Sequence, residues 1–386
     1  MVVTIVVLLI LAGISLNLVL GQNGIISRAQ DARNQTAEGQ VNPEKAINAL
    51  TDKMEDLISE NEKSGNGGNS GGENSGGSGS TVDGVPIPAG FVYVGGTKAS
   101  GLVISDAAAD KEKYKGQTTV GTDLQGNQFV WIPVENIADY KRTAYSTNVA
   151  TGTIDSTTNS EQIKYSSSNS DYFKEALPPD EKTSVETNKG FYIGRYEAGD
   201  QESTNSKKLR ASGASTSNTI TVKAGQAPYN YIGYTDAKKL AEGFSTKQGY
   251  TSVKSKLVSS YAWDTAIAFI QKTNSDYGNR SEEGNYNNSP TFTYTGIADT
   301  EKNKQTKANG TSTLIPTGQT TAVNNIYDMG GNVYEWTTES YSDTNYPYTY
   351  RGGSYYRSFA VYPAGNRNYV SDVAGDSLGF RCTLYL

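Results

Sequence analysis

The first twenty residues contain no charged side chain, and the first charge along the chain is Arg28. An α-helix of about 20 residues spans the roughly 30 Å hydrocarbon layer of a membrane. Helix-forming residues continue beyond the apolar run, which predicts one long helix over residues 1–38. A secretory signal peptide is the alternative, but no basic segment precedes the apolar run and no A-x-A site follows it. The pattern favours a membrane or fibre helix.

A second apolar pattern has helical spacing. Asn42 precedes Pro43, an order that starts helices because the Asn side chain caps and proline fits the first turn. Apolar side chains then recur along one stripe, at Ile47, Leu50, Met54, Leu57 and Ile58. This predicts an amphipathic helix over residues 43–62. The stripe is typical both of ordinary packing and of a partner site, and the sequence leaves both open.

Residues 64–80 carry no apolar side chain and read SGNGGNSGGENSGGSGS. Such a segment cannot bury enough surface to offset the entropy lost on ordering, which predicts a flexible Gly/Ser/Asn linker. A linker of this length typically reaches about 20 to 25 Å. The domain that follows can therefore reorient relative to the helices.

Beyond the linker, the pattern changes to short β-rich segments separated by polar loops. Strands are predicted for FVYVGG at 91–96, FVWIPV at 129–134 and GFYIGRYEAG at 190–199. Helices are predicted for TDAKKLAEGF from 235 and SSYAWDTAIAFIQ from 259. The order of elements predicts an α+β domain over residues 82–386, with much irregular backbone.

Composition narrows the chemistry that this domain can perform. The formal net charge is -6, which gives no basic field to attract a phosphate backbone, so nucleic acid is excluded as a partner. The chain has no histidine and a single cysteine, Cys382. This excludes Ser-His-Asp sites, histidine zinc sites, four-cysteine metal clusters and redox pairs. Carboxylate chemistry stays open, although no pair stands out by spacing.

The N-terminal segment resembles the N-terminal helix of type IV pilin-like proteins from Gram-positive anaerobes. Its sequence is VVTIVVLLILAGISLNLVLGQNGIISRAQDAR. The resemblance implies that residues 1–20 insert in the membrane and later pack in a filament, with pilus or pseudopilus subunits as partners. The prepilin peptidase site expected ahead of Val2 is missing. A single-pass anchor therefore stays an alternative.

The large domain resembles the formylglycine-generating enzyme and sulfatase-modifying factor family, whose fold is a C-type lectin variant. The resemblance rests on FVWIPV, GFYIGRYEAG, APYNYIGYTDAKKLAEGF, SSYAWDTAIAFI, NIYDMGGNVYEWTTE, RGGSYY and GFRC. The family's oxidase holds copper with a cysteine pair, and its iron-dependent relatives use histidines, neither of which this chain has. The fold is therefore expected without the catalysis. A divergent membrane-anchored enzyme of this family and a structural pilus subunit are the alternatives.

The tail, residues 348–386, resembles the variable region of variable proteins from diversity-generating retroelements. Its candidate ligand-binding residues are mostly of types reachable from asparagine-like codons, and they are Tyr355, Tyr356, Ser358, Phe359, Val361, Tyr362, Asn366, Asn368, Tyr369, Ser371 and Asp372. Rigid aromatic rings interleaved with small polar groups are typical of a paratope. The alternative is that the aromatic side chains pack in the β-core and the polar residues lie in solvated loops.

The remaining residues of the tail supply an expected frame around these candidates. The frame comprises Arg351, Gly352, Gly353, Gly365, Gly379, Phe380 and Arg381. We expect the arginines to bond loop carbonyls in a buried setting. We also expect Trp336, Gly353, Phe380 and Arg381 to be buried, while Tyr355, Tyr356, Phe359, Tyr362 and Tyr369 are exposed.

One metal site is a candidate. The resemblance implies calcium in some members of the family, and the side-chain oxygens of Asn332 and Glu335 with the Val333 carbonyl are ligands of the right type. The alternative is that both side chains hydrogen-bond the loop backbone. No other cofactor is expected, and Glu197 is expected to have an internal structural role. The sequence thus predicts a surface-displayed, non-catalytic adhesion or recognition protein, membrane-anchored or in a pilus-like fibre, with a protein or glycan ligand.

Overall fold

The computed structural model describes residues 80–145, 154–155, 160–164, 170–211, 219–297 and 303–386. The chain divides into two units, Met1–Asn74 and Ser75–Leu386, and every described residue belongs to the second. The predicted helices 1–38 and 43–62, and the linker 64–80 except its last residue, lie outside the described residues. Within the described part, no helix is long and apolar enough to cross a membrane.

The described residues form a mixed α and β architecture of many short elements. The α-helices are α1 Pro179–Asn188, α2 Gln201–Asn205, α3 Tyr234–Gln248 and α4 Ser260–Ile270, with single 3-10 turns at Ala108–Asp110 and Ile137–Asp139. The strands, in chain order, are β1 Thr81–Val82, β2 Val85–Pro86, β3 Val92–Gly95, β4 Val103–Ser105, β5 Gln128–Pro133, β6 Ile154–Asp155, β7 Ser160–Lys164, β8 Tyr172–Glu175, β9 Gly190–Gly194, β10 Gly199–Asp200, β11 Ile220–Thr221, β12 Ala227–Pro228, β13 Lys254–Leu257, β14 Phe292–Thr295, β15 Lys304–Lys307, β16 Tyr334–Tyr341, β17 Tyr348–Arg351, β18 Arg367–Val370, β19 Leu378–Phe380 and β20 Cys382–Tyr385.

A six-stranded antiparallel sheet in the order β13-β20-β9-β5-β4-β3 forms the centre of the domain. Side chains alternate along β5, so that Val130 and Ile132 join one hydrophobic cluster while Phe129 and Trp131 join the other. Both clusters are buried, which explains why FVWIPV is apolar without interruption.

One helix packs in each of these clusters. Helix α4 belongs to the first and is buried along nearly its whole length. Its first turn is capped by the Ser259 hydroxyl, which accepts from the Ala262 N–H at 3.2 Å. Helix α3 contributes Ala237, Ala241 and Phe244 to the second, and ends at Gly249 in the left-handed conformation. Both predicted helices are confirmed.

A second sheet carries the tail. Its strands follow the order β18-β17-β16-β8-β7-β6, and β19 pairs with β16 in parallel. The tail therefore supplies three strands to this sheet and then β20 to the interior of the first. The loops 352–366 and 371–377 consequently begin and end in backbone that is already hydrogen-bonded on fixed neighbours.

Candidate ligand-binding face

The structure places the eleven candidate residues of the tail in three different settings. Val361 and Asp372 are exposed. Seven are partly buried, namely Tyr355, Tyr356, Ser358, Tyr362, Asn368, Tyr369 and Ser371. Phe359 and Asn366 are buried, at 9% and 2% exposure. The exposure predicted for the aromatic side chains of the tail is thus found only in part.

The prediction that Phe359 faces solvent is wrong, because its side chain is buried. Its ring packs edge-on against Tyr286 with the centroids 6.0 Å apart, and the Arg280 guanidinium lies 4.9 Å from its centroid. Asn366 is likewise part of the frame, because its carbonyl accepts from Arg351 Nε at 3.0 Å. Phe359 is thus covered by groups that lie more distant along the chain, whereas Asn366 is held within the tail.

Tyr369 lies apart from the other tail tyrosines. Its ring stacks on Tyr341 with the centroids 3.6 Å apart, and it packs against the small cluster that contains Ile163 and Phe173. The structure therefore does not bring Tyr369 together with the residues of the loop 352–366. It is better described as part of the support of the second sheet.

The partly buried tyrosines around that loop form one surface, which we call the tyrosine face. It consists of Tyr234, Tyr348, Tyr350, Tyr355, Tyr356 and Tyr362. Tyr234 of α3 stacks on Tyr348 with the centroids 4.2 Å apart. Buried Tyr334 lies beneath the face and makes edge-on contacts with three of its rings, those of Tyr350, Tyr356 and Tyr362. Sequence reasoning missed the three members outside the loop, at 234, 348 and 350, because their neighbours come from different segments.

The predicted frame of the tail is confirmed as buried. Trp336, Phe380, Arg351 and Arg381 are fully buried, and the four frame glycines are buried as well. Gly353 has no space for a side chain, since a Cβ there would lie 2.2 Å from the Tyr362 carbonyl oxygen. The frame thus tolerates little change in side-chain size.

The two frame arginines satisfy loop carbonyls, as predicted. Arg351 donates to the Asn366 and Gly365 carbonyls at 3.0 and 3.2 Å. Arg381 donates to the carbonyls of Gly194 and Tyr327 at 2.8 Å each. Because each guanidinium holds segments from distant parts of the chain together, both serve the fold rather than a ligand.

A buried charge network lies behind β17 and β18, and sequence reasoning missed it. Its members are Arg142, Asp264, Glu339, Arg351 and Arg367, and all five side chains are fully buried. Arg367 Nε lies 3.1 Å from both oxygens of Glu339, and Arg351 donates to Asp264 at 2.6 Å. Glu339 also accepts from Arg142. The network locks the tail strands onto α4 and β16.

A second missed element is the clamp on the loop 352–366. Asn287 donates through its backbone N–H to the Arg357 carbonyl at 2.9 Å and through its side chain to the Tyr356 carbonyl at 3.2 Å. Asn288 accepts from the Phe359 N–H at 3.1 Å and donates to the Ser358 hydroxyl at 3.1 Å. These bonds fix the loop backbone. No local signal in the sequence connects Asn-Asn at 287–288 with the tail.

The predicted calcium ligands are engaged in other contacts. Both oxygens of Glu335 accept from Arg381, at 3.0 and 2.7 Å. The Asn332 side chain accepts from the Ile315 N–H at 3.2 Å and donates to the Ile315 carbonyl at 3.1 Å and to Glu197. Val333 is buried.

The geometry of these residues does not support a metal site. For Asn332, the alternative of hydrogen bonds to the loop backbone is what the structure shows, whereas Glu335 pairs with an arginine. Among the described residues, no group of three or more His, Cys, Asp or Glu side chains could hold a metal ion. Burial, with the nearby Asp328 and Glu335, raises the pKa of Glu197 well above its usual range. Glu197 therefore has the internal role that was expected.

The single thiol lies in the interior of the first sheet. Cys382 is fully buried on β20. Burial raises the pKa of its thiol, so that the group stays protonated at neutral pH. It is placed as a small core side chain and not as a nucleophile.

Comparison with known proteins places this geometry in a family. Residues 133–385 match the family described as the sulfatase-modifying factor enzyme 1-like domain. No curated protein sequence matches the chain.

Three solved structures are similar at low identity. The structure of CarF is 16% identical over 51% of this chain and 87% of that chain, with a TM-score of 0.33. PvdO from Pseudomonas aeruginosa is 18% identical over 69% of this chain and 98% of that chain, with a TM-score of 0.35. Treponema denticola variable protein 1 is 15% identical over 69% of this chain and 98% of that chain, with a TM-score of 0.32. The family match covers well over half of the chain, and the protein therefore belongs to the sulfatase-modifying factor enzyme 1-like family.

Proposed function

We propose that the protein is a non-catalytic ligand-binding protein displayed at the cell surface, and that the tyrosine face is its binding surface. The observation that carries the proposal is the contrast within the tail. Partly exposed rings stand on a frame of fully buried Trp336, Arg351, Phe380 and Arg381. Rings held in this way offer contact area at little further loss of side-chain entropy, as in antibody paratopes.

The same contrast supports a variable tail. Positions such as Val361 and Asp372 are exposed, so replacement there changes the surface without a cavity or a clash in the core. Diversification by a retroelement requires this separation of surface from frame. A reverse-transcriptase gene and a near-copy of the tail codons beside this gene are the expected genomic signature, and a neighbourhood without them would contradict this part of the proposal.

The proposal also excludes the oxidase chemistry of the family. The only thiol, Cys382, is buried and protonated, and one thiol cannot supply the pair that holds copper in the oxidase. The purified protein should form no aldehyde on a Cys-x-Pro-x-Arg peptide. Detection of more formylglycine than a Cys382→Ser variant forms would overturn this part of the proposal.

Display outside the cell rests on the predicted apolar helix of residues 1–20. We propose that it inserts in the membrane, alone or as a pilus or pseudopilus subunit. The full chain should then fractionate with membranes or with sheared surface fibres. Recovery of the full chain in the cytosol would contradict the anchor.

The binding test uses a phage-displayed random peptide library and a glycan array as probes. Tyr355→Ser, within the face, combined with Val361→Ser, at its exposed flank, should remove the ligands that the unaltered protein selects. Unfolding stability should change by less than about 1 kcal/mol, as at surface positions. Tyr346→Ser is the matched control, because Tyr346 is 47% exposed and lies outside the tyrosine face. Equal loss in the control, or no loss in the double variant, would refute the assignment of the face.

A further inference from the structure

Arg357 occupies an unusual position in the tyrosine face. Its guanidinium carbon lies 4.7 Å from the ring centroid of Tyr356 and 4.8 Å from that of Tyr362. Both distances are within the about 6 Å over which a cation is attracted to an aromatic ring. The side chain is partly buried, and its Nε is buried without a hydrogen-bond partner. The two rings therefore hold the cation in one place at the surface.

Arg357 also differs from other arginines of the domain in its charge partners. Carboxylate partners are present for Arg142, Arg210, Arg280, Arg351, Arg367 and Arg381. Over the ranges that the structure describes, Arg357 makes no such pair. Arg195 has no carboxylate partner in those ranges either, but its guanidinium donates to the carbonyls of Val120, Gly121 and Asn325. The two rings offset part of the cost of desolvating the Arg357 guanidinium, and an anion from a ligand would offset more of it.

The backbone of Arg357 is fixed before any ligand binds. Its N–H donates to the Ser354 carbonyl at 2.9 Å, and its carbonyl accepts from the Asn287 N–H at 2.9 Å. With the backbone and the side chain both held, an incoming anion costs little ordering entropy. This is the pre-organisation that raises affinity in protein interfaces.

We propose that Arg357 recognises the ligand, and that the ligand is a protein surface presenting an Asp or Glu side chain among apolar neighbours. The proposal deepens the function proposed above and rests on it. A guanidinium offers parallel N–H donors that match a carboxylate in a bidentate pair. Tyrosine and arginine at the centre of a surface are also typical of the residues that dominate protein–protein binding energy.

The charges around Arg357 argue against a polyanion as the ligand. Asp376 borders the tyrosine face, because its carboxylate accepts from the Tyr355 hydroxyl at 3.1 Å. Asp372 lies on the same loop, at an exposed position. A heparin-like or nucleic-acid chain would meet these carboxylates and the overall charge of -6. A single carboxylate meets less of this repulsion than a polyanion does, because the repulsion grows with the charge of the ligand.

The flanks of the face supply the apolar part of the surface. Val361 and Val373 are 52% and 40% exposed, on the two loops that flank β18. Exposed valines beside a tyrosine–arginine centre fit a protein partner, whose contact would bury them. A sugar ring would stack on the tyrosines but leave these methyl groups in water.

The test uses the full-length protein in detergent and selection from a phage-displayed random peptide library. Selected peptides should be enriched in Asp or Glu, and Arg357→Gln should lower their affinity about tenfold or more, as expected for a charged hydrogen bond. Arg357→Glu should shift enrichment to Lys and Arg. Arg280→Gln is the matched control and should change affinity by less than about twofold, because Arg280 also lies over a tail ring but is paired with Glu282.

The outcomes separate this proposal from the one on which it rests. Peptides that bind through Tyr355 and Val361 but carry no acidic residue, with affinity unchanged in Arg357→Gln, would overturn the role of Arg357 and keep the face. Selection of no peptide, or binding of heparin in preference to peptides, would overturn the protein partner. Arg357→Lys keeps the charge and provides a second variant if Arg357→Gln unfolds. It should show a smaller loss than Arg357→Gln, and affinity equal to that of the unaltered protein would overturn the bidentate pair.

Discussion

Replacement of Glu339 by glutamine tests the buried charge network more directly than any other change. Glu339 is fully buried, accepts from Arg142 and lies 3.1 Å from Arg367 Nε through both oxygens. Glutamine has nearly the same shape, so no cavity forms. Removing the charge leaves the buried guanidinium groups of Arg142, Arg351 and Arg367 without this carboxylate. Asp264 still pairs with Arg351 and Arg367.

The loss in free energy of unfolding expected for Glu339→Gln can be estimated in two ways. Breaking a buried ion pair by removing one partner typically costs about 3 to 5 kcal/mol. Burial by itself would raise the pKa of Glu339, yet the three arginines lower it from 4.5 to about 2. At about 1.4 kcal/mol per pH unit, that difference corresponds to about 3 kcal/mol. Either value is a large fraction of the free energy of unfolding of a typical domain, which is about 5 to 15 kcal/mol.

The assay is equilibrium urea unfolding of a polypeptide beginning at Thr81, at neutral pH. Glu186→Gln is the control, since Glu186 forms an exposed i,i+4 pair with Lys182 at 2.9 Å, with both side chains about half exposed. It should cost no more than about 0.5 kcal/mol. A Glu339→Gln cost as small as that of the control would refute the role assigned to the network.

The pH dependence of this difference has a definite sign. A carboxyl whose pKa is lower in the folded state stabilises the fold at pH values above its unfolded pKa and loses that contribution as the pH falls through the folded pKa. The gap between the unaltered protein and Glu339→Gln should therefore be full above about pH 5 and shrink towards pH 2. A gap that stays constant to pH 2 would show that hydrogen bonding, and not charge, accounts for the loss.

Three further outcomes are expected. Burial raises the pKa of Glu175 to about 7, so stability should fall as the pH rises from about 4.5 to 7, and Glu175→Gln should remove up to about 3 kcal/mol of that fall in urea unfolding across this range. Trp336→Ala or Phe380→Ala should each cost about 3 to 5 kcal/mol in the same assay, because both rings are fully buried, and a cost under about 1 kcal/mol would contradict their place in the frame. Chelation of calcium should leave the melting temperature unchanged, since Glu335 is paired with Arg381; a decrease that Glu335→Gln abolishes would restore the calcium site.

The sequence predicted best those elements whose burial is continuous. FVWIPV and GFYIG became β5 and β9 because both faces of the first sheet are covered, so every side chain along them is apolar. The family predicted for the domain is confirmed. Helix α1 was missed because PDEKTSVETN has no apolar stripe; only Pro179 at its first turn and the acidic residues that follow signalled a start.

The candidate site was harder to predict because its exposure depends on contacts between distant segments. Phe359 was expected at the surface from its polar neighbours, yet it is covered by Tyr286 and Arg280. The alternation of aromatic and small polar residues in a loop does not specify which ring points inward, since a loop has no fixed period. Arg142 and Glu339 are nearly two hundred positions apart, and no pattern in either segment indicates that they meet.

The setting of Arg357 depends on residues that we propose to be variable. Tyr356 and Tyr362 hold its guanidinium, while its backbone is held by Ser354 and Asn287, outside the candidate positions. Exchange of either tyrosine for a small residue would therefore leave the backbone in place and let the side chain of Arg357 turn. Diversification of a few ring positions would then change both the shape of the face and the direction in which its cation points, without any change in the frame.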